Sequence, residues 1–262
     1  MNTDLTEEQK ILRQAAEEFL RKECPIDLMR QRRDDSKEFD SALWGKMSNL
    51  GWMGVGIQEE YGGSGGNFSD LAVLIEAMGC VCLPVPFFST VVVSAATLEQ
   101  SSASDLKTNL LPRITAGELV CSYAVTEPGN TYGLVNIQTQ AVPDGEGFSI
   151  NGSKLFVEYA RSADYLLTVV REGKDLLILM VDPSSPGIEI ESYDTLDYAD
   201  QCEVRFNNVK VPLSSVVARG GEATTLLKNL EERSAAGKLS LIHISEPTRP
   251  RLISYAVFCL KK

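Results

Sequence analysis

The spacing of apolar residues changes near residue 119, and this change limits the fold more than any other feature of the chain. Before it, apolar side chains recur at helical spacing, as in Leu71, Leu74, Ile75 and Met78. After it, short apolar runs are separated by turn sequences such as PDGEG and DPSSPG, which is typical of short strands. The sequence therefore predicts an α+β fold, with an N-terminal all-α helical domain over residues 1–118 and a small antiparallel β-barrel or sandwich domain over residues 119–218.

Cap and stop residues indicate where the N-terminal helices begin and end. Thr3 or Asp4 is predicted to cap the first helix, and Asn67 or Ser69 to cap a later one, because short polar side chains accept hydrogen bonds from the first free amides of a helix. Gly51 is predicted to end the helix that precedes it, since glycine readily takes the left-handed conformation found there.

The remaining helices and strands are predicted from the length of each apolar run and from the turn residues that separate the runs. Residues 86–100 contain valines that favour a strand, but their length and their neighbours favour a helix. A helix is predicted to restart near Glu222, and residues 219–238 are assigned to the start of a C-terminal helical domain. The predicted strands are 119–126, 135–142, 147–151, 153–158, 164–171, 175–181, 187–193 and 202–207.

Composition excludes several classes of function. The net charge of −11 argues against binding to nucleic acid or to an anionic membrane, because both attract basic surfaces. The chain has one histidine, His243, so Ser-His-Asp and Cys-His nucleophiles and most zinc sites are excluded from the residues before it, and no metal is expected. What remains is carboxylate chemistry, or a cofactor that carries the difficult step.

Cysteine usage and the N-terminal segment predict a cytoplasmic location. The six cysteines include no CxxC pair, so reduced and mostly buried thiols are expected rather than a disulfide framework. The segment MNTDLTEEQK is polar and acidic, unlike a signal or transit peptide. No apolar run is long enough to span a bilayer, so we expect no membrane partner.

The C-terminal segment, residues 239–262, differs from the chain before it. It is basic, it contains His243, and Pro247 and Pro250 interrupt it where a helix would continue. One interpretation is a basic tail. We prefer the interpretation that this segment is a translation of non-native DNA joined to a truncated gene, since HISEPTRP resembles translated sequencing-adapter sequence.

The stretch CSYAVTEPGNTYGLVN, residues 121–136, leaves two interpretations open. A strand runs into Thr-Glu-Pro-Gly, and Pro followed by Gly is a common turn pair, so an ordinary strand-ending turn is one interpretation. The other is a binding turn, because a strand that ends sharply leaves backbone N–H groups that the sheet no longer uses, and Thr126 adds a hydroxyl.

Four phrases carry a resemblance to a known family: ALWGKMSNLGWMGVGIQEEYGGSGG, LLPRITAGELVCSYAVTEPG, INGSKLFVEYARSAD and VRFNNVKVP. They resemble segments of the acyl-CoA dehydrogenases, in the family's order and spacing, over residues 5 to about 237. The resemblance implies a flavoprotein that binds FAD and desaturates an acyl-CoA thioester between its α and β carbons. It also implies electron-transfer flavoprotein as the electron acceptor, a homo- or hetero-oligomeric assembly, and a chain that stops within the first helix of the family's C-terminal bundle.

The resemblance also implies cofactor-binding residues. The segment that includes Tyr123, Val125 and Thr126 matches the family's contact with the pyrimidine side of the flavin. Phe156 and Glu158 match the phrase that lies near flavin N5, where the family has a hydroxyl residue at the position of Glu158. An ionised carboxylate can only accept hydrogen bonds, so this departure puts ordinary catalysis in doubt.

Two further positions follow from the resemblance. Tyr132 stands where the family has a serine near the acyl-CoA, and it is a candidate substrate-binding residue. Glu232, which precedes Arg233, matches the catalytic base of those members that take this carboxylate from the first C-terminal helix. The alternative is that Glu232 is a solvated helix residue.

These features leave more than one function open. The first is an FAD-dependent acyl-CoA dehydrogenase-like enzyme, inactive as the chain stands. The second is a non-catalytic subunit of a heteromeric member of the family, which the departures at Tyr132 and Glu158 favour. The third is a related flavin oxidase or monooxygenase with the same fold.

Overall fold

The computed structural model describes residues 5–25, 39–129, 136–193, 195 and 200–245. Helices dominate the first part of the chain, as the apolar spacing predicts. Residues 86–100 are helical rather than extended, so that prediction is confirmed. The helices are α1 (Glu7–Glu23), α2 (Ser41–Asn49), α3 (Phe68–Cys80), a π-helical segment (Phe88–Ala95), α4 (Ala96–Gln100), α5 (Ser104–Thr115) and, after the strands, α6 (Gly221–Ser245), with short 3-10 turns at Trp52–Gly54, Glu59–Tyr61 and Leu213–Ser215.

The helix caps follow the sequence signals with one correction. Asn67 caps α3 in a capping box with Asp70, and Gly51 adopts a left-handed conformation (φ 75°) just after α2, as predicted. The first helix is capped by Thr6 in a capping box with Gln9, so the prediction of Thr3 or Asp4 was wrong by two or three residues. Thr6 takes the role because its reciprocal partner lies three residues later.

The strands form one mostly antiparallel sheet. Its order is β6-β7-β3-β2-β4-β5-β8, and β1 pairs with β4 off this path. The pairs β1–β4 and β2–β4 are parallel, a detail that strand-length patterns do not reveal. The strands are β1 (Cys121–Ala124), β2 (Gln140–Asp144), β3 (Gly147–Glu158), β4 (Tyr165–Glu172), β5 (Asp175–Val181), β6 (Ile188–Ser192), β7 (Gln201–Pro212) and β8 (Val216–Arg219).

Several strands differ from their predicted bounds: the run 135–142 is replaced by β2 (Gln140–Asp144), and the run 202–207 is part of the longer β7 (Gln201–Pro212). The runs 147–151 and 153–158 are one strand, β3, whose pairing with β7 shifts register twice. β8 has no predicted counterpart, because its four residues are too short to show alternation.

The centre of the sheet is buried on both faces. Along β5, Leu177 and Leu179 belong to one apolar core, and Ile178 and Met180 belong to a second core on the other face. Burial on both faces explains why this strand reads as a continuous apolar run instead of an alternating one. The second core also holds one side of α6, through Ala223, Leu226, Leu227 and Leu230.

The C-terminal part of α6 enters the segment interpreted above as non-native. The helix continues to Ser245, and residues 246–262 lie outside the described residues. Within the part of the chain that the structure describes, no helix combines the length and hydropathy that crossing a bilayer requires.

Candidate functional site

The turn after β1 carries unused backbone donors. β1 pairs in parallel with β4 from Cys121 to Ala124, and this pairing ends at Ala124. Beyond it, the N–H groups of Val125, Thr126 and Glu127 donate no hydrogen bond to any described residue. Buried or half-buried amides are nearly always paired, so three consecutive unpaired amides are unusual. These amides are therefore available as donors to a bound ligand.

The bulge in β3 lies directly against this turn. The Leu155 N–H donates to the Thr126 carbonyl at 2.8 Å, and the Lys154 ammonium donates to the Val125 carbonyl at 3.3 Å. The pairing of β3 with β7 shifts register between Lys154 and Val157, which frees residue 155 to make its bond with the turn. The structure therefore brings together the two segments that the resemblance assigns to the cofactor.

Phe156 presents an apolar ring beside the turn. It is 56% exposed, one of the few large apolar side chains so exposed in the described part of the chain. Its backbone is left-handed (φ 55°), a strained conformation for an aromatic residue and one that is more frequent at binding sites. Its ring contacts that of Tyr193, with centroids 5.7 Å apart. The two ring planes are inclined by 46°, so the exposed ring of Phe156 by itself is the apolar surface offered to a ligand.

Glu158 ends β3 opposite Gln201 and is half-buried. Its carboxylate makes no hydrogen bond or ion pair with any described residue. The next residue, Tyr159, is also left-handed (φ 54°) and donates its N–H to the Asp200 carbonyl at 2.7 Å. This bond fixes the backbone next to Glu158, while the carboxylate has no partner among the described residues.

Tyr123 and Val125 extend toward the second core. Both are half-buried and pack against the cluster that contains the buried side of α6. Burial raises the pKa of the Tyr123 hydroxyl, and the nearby Glu231 carboxylate raises it further. The hydroxyl therefore stays protonated and can donate. Thr126 is half-buried, and its hydroxyl makes no hydrogen bond with a described residue.

The helix α6 presents two neighbouring glutamates in different directions. Leu227 and Leu230 are buried, and Glu231 lies one turn after Leu227, at the edge of the buried side. Glu232 is rotated from Leu230 by about 200°, so it lies on the exposed side. The charge that acts on Tyr123 is that of Glu231. The role of Glu232 as a base stays a prediction.

Arg233 takes a separate position on the same helix. Its guanidinium lies over the ring of Phe68, 5.1 Å from the centroid, and its Nε has no hydrogen-bond partner among the described residues. Burial lowers the pKa of Arg233, and the charge of Glu99 opposes that effect. This contact joins α6 to α3.

Sequence reasoning assigned no role to the buried ion pair behind the turn. The Lys154 ammonium lies 2.5 Å from the Glu127 carboxylate, and the two side chains are 0% and 2% exposed. Glu127 also accepts hydrogen bonds from the backbone N–H groups of Gln138, at 2.5 Å, and Thr139, at 3.1 Å. The available signal was a glutamate inside a turn and a lysine inside an apolar strand.

Two predicted features complete the description of the site. Tyr132 lies outside the described residues. Among the residues that are described, no group of three or more His, Cys, Asp or Glu side chains could hold a metal ion. The groups present are amide and hydroxyl donors and an exposed aromatic ring, which suit an uncharged planar ring with acceptor atoms on one edge.

Comparisons with known proteins identify a family to which this chain is similar over most of its length. The family model for the N-terminal domain of acyl-CoA dehydrogenase matches residues 6–118, and the model for the middle domain matches residues 122–209. The chain is 29% identical over 254 residues to the probable acyl-CoA dehydrogenase YngJ of Bacillus subtilis, covering 92% of this chain and 65% of that relative. The chain thus spans about two thirds of the length of this relative.

Solved structures share the fold. A probable acyl-CoA dehydrogenase from Mycobacterium abscessus superposes with a TM-score of 0.81 at 26% identity, over 90% of this chain and 65% of that one. A chain of the ChsE4-ChsE5 complex from Mycobacterium tuberculosis superposes with a TM-score of 0.82 at 22% identity, over 92% of this chain and 65% of that one.

Proposed function

The chain belongs to the acyl-CoA dehydrogenase family, and from that premise we propose that it is part of an FAD-dependent oxidoreductase that desaturates an acyl-CoA thioester between its α and β carbons. The observation that carries the proposal is that the amides of Val125, Thr126 and Glu127 donate to no described residue, in a turn whose Thr126 carbonyl binds the N–H of Leu155, the neighbour of the exposed Phe156. Backbone donors without a partner in the chain are available to a bound ligand.

Each residue at the site has a task in this proposal. The amides of the turn and the hydroxyl of Thr126 donate to the edge of the cofactor where negative charge gathers. Phe156 stacks on the ring and keeps water from that surface. FAD, when bound, supplies the acceptor for the hydride that leaves the β carbon.

The proton at the α carbon needs a separate acceptor. Glu232 is the proposed base, because a carboxylate before an arginine on this helix is what the resemblance implies. The chain holds no histidine before His243, so a carboxylate is the group available for this step. Tyr132 is the proposed contact to the acyl-CoA.

The partners follow from the same premise. We propose electron-transfer flavoprotein as the acceptor of the electrons and a homo- or hetero-oligomer as the assembly. We also propose that residues 1–118, 119–218 and 219–238 correspond to the helical, β and C-terminal domains, and that residues 239–262 are non-native.

The proposal is tested by flavin titration of the 262-residue chain. Flavin fluorescence should be quenched on binding, and Thr126→Val should weaken FAD binding by about two- to tenfold, the worth of one hydrogen bond. Thr108→Val removes a hydroxyl that bonds only within α5, and it is the matched control. A chain that leaves FAD fluorescence unchanged at every concentration would contradict the proposal.

A second candidate is a non-catalytic subunit of a heteromeric member of the family. The unpaired carboxylate of Glu158 favours it, because an acceptor stands where the resemblance requires a donor. The heteromeric reading predicts co-purification with a catalytic partner when both genes are expressed together. Turnover by this protein without a partner, measured with an artificial electron acceptor, would exclude it.

A further inference from the structure

The ion pair between Glu127 and Lys154 joins the segments that form the site. Lys154 contacts both the Glu127 carboxylate and the Val125 carbonyl, so one ammonium group holds two points of the turn. On its other side, Glu127 binds the amides of Gln138 and Thr139, just before β2 begins. The pair therefore ties the turn to both β3 and the entry of β2.

A buried ion pair is a poor way to gain stability alone. Removing two charges from water is unfavourable, and apolar residues of similar volume often replace such a pair without loss. Such a pair can instead fix the orientation of the segments that carry it. A carboxylate bound by several donors accepts their hydrogen bonds only within a narrow range of geometries. Here the ion pair fixes the geometry of the turn at residues 125–127, whose amides donate to no described residue.

The backbone next to the pair transmits this geometry. Lys154 is followed by Leu155, whose N–H binds the Thr126 carbonyl at 2.8 Å, and then by the left-handed Phe156. Glu127 is preceded by Val125 and Thr126. A shift of the ion pair would therefore change the position of the amides and of the aromatic ring together.

The charge states support this role. Burial lowers the pKa of Lys154 to about 8, although the Glu127 carboxylate beside it raises it. Burial raises the pKa of Glu127, but the charge of Lys154 and the hydrogen bonds outweigh this, so the pKa is lowered overall. Both groups are thus charged near neutral pH. Among the described residues, Glu127 is the charged group that acts on Lys154.

We propose that Glu127 and Lys154 are positioning residues that hold the turn at residues 125–127 and the bulge at residues 155–156 in one fixed arrangement before the cofactor binds. The proposal rests on the proposed function, since it assigns the pair to the flavin contact. It assigns neither residue to the chemical step.

The test compares Lys154→Met with the double variant Glu127→Gln/Lys154→Met. The single variant leaves an unpaired buried carboxylate and should lower both the melting temperature and the affinity for FAD. The double variant keeps an acceptor oxygen for the amides of Gln138 and Thr139 without a buried charge, so it should recover most of the melting temperature. Its FAD affinity should remain at least tenfold below that of the native chain, because nothing then holds the Val125 carbonyl.

The matched control is Lys210→Met. Lys210 pairs with Asp144 on the exposed surface of the same sheet, so this variant makes the same change in charge away from the turn. It should leave FAD affinity unchanged. If the double variant binds FAD as tightly as the native chain, the pair has no positioning role and the proposal is overturned.

Failure of the proposed function gives a different result. In that case the native chain itself binds no FAD. The positioning proposal is then tested by the rate of amide hydrogen exchange at Leu155, compared between the native chain and the double variant. Faster exchange of the Leu155 N–H in the double variant, with the melting temperature recovered, would show that the pair holds the turn. Unchanged exchange would overturn the proposal without any reference to flavin.

Discussion

The two sides of the candidate site are built in opposite ways. On the β side, the turn at residues 125–127 is held by a buried ion pair and by backbone hydrogen bonds to β3. On the α6 side, Glu231 and Glu232 are exposed and make no ion pair with any described residue. The contrast teaches that the proposed cofactor contact is fixed by bonds within the chain, whereas the proposed proton acceptor makes no such bond among the described residues.

The largest expected effect is on the free energy of unfolding, which should fall strongly for a change on the β side of the site and hardly at all for one on the α6 side. Lys154→Met leaves Glu127 buried and unpaired, so the free energy of unfolding should fall by about 3–5 kcal/mol. Lys228→Met makes the same change on the exposed side of α6 and should stay within about 0.5 kcal/mol of the native chain. Urea denaturation measures both. Similar losses in the two variants would remove the contrast between the two sides.

The next effect concerns the proton acceptor and needs a protein with turnover. A chimera joins residues 1–238 to the remaining C-terminal part of YngJ. In it, Glu232→Gln should lower the rate by about 100-fold or more, because the α-proton loses its base. Glu231→Gln is the paired variant and should have little effect. The reverse result would assign the base to Glu231, which faces Tyr123, and return Glu232 to the solvated side.

A smaller effect is expected at Glu158. A negative charge near the flavin disfavours its reduction, so Glu158→Thr should raise the reduction potential and tighten FAD binding. An interaction of about 1.4 kcal/mol corresponds to about 30 mV for a two-electron couple. Glu189→Thr, an exposed position on β6, is the control for the same change in charge. Equal potentials in the native chain and Glu158→Thr would place the carboxylate away from the cofactor or leave it uncharged.

The smallest effect is a pH dependence. Lys154 has a pKa of about 8 when folded and an ordinary value of about 10.5 when unfolded, so between these values the unfolded state binds more protons. The contribution of this group to stability therefore rises with pH, by about 1 kcal/mol between pH 7 and 9. The reference is Glu127→Gln/Lys154→Met, which lacks both titrating groups. If the difference in the free energy of unfolding between the native chain and this double variant is constant from pH 7 to 9, Lys154 does not titrate in that range.

Local signals predicted much of the fold and part of the site. The capping box of Asn67 and the left-handed Gly51 follow from neighbours within a few residues, so the sequence was enough to find them. The unpaired amides after β1 were expected for a similar reason, since the turn residues end the strand locally. The cap of α1 was misplaced because several polar residues near the N-terminus could each serve as a cap.

Long-range features were not predictable in this way. Glu127 and Lys154 are 27 positions apart, and nothing in either local segment indicates that they meet. The parallel pairing of β1 with β4 depends in the same way on how distant strands are ordered in the sheet. The register shift in β3, which makes Phe156 left-handed, arises from its pairing with β7.

The sequence by itself determined the order of helices and strands, the turn after β1 and the chemical types available to the site. These depend on periodicity, on caps and on turn residues, which act over a few positions of the chain. Only the tertiary structure decided that the carboxylate in the turn meets a buried lysine and that, of two adjacent glutamates, Glu231 is the one whose charge acts on Tyr123. The physical reason is that burial and partner choice are properties of the packed chain: a lysine in an apolar strand becomes favourable only once the fold places a carboxylate beside it.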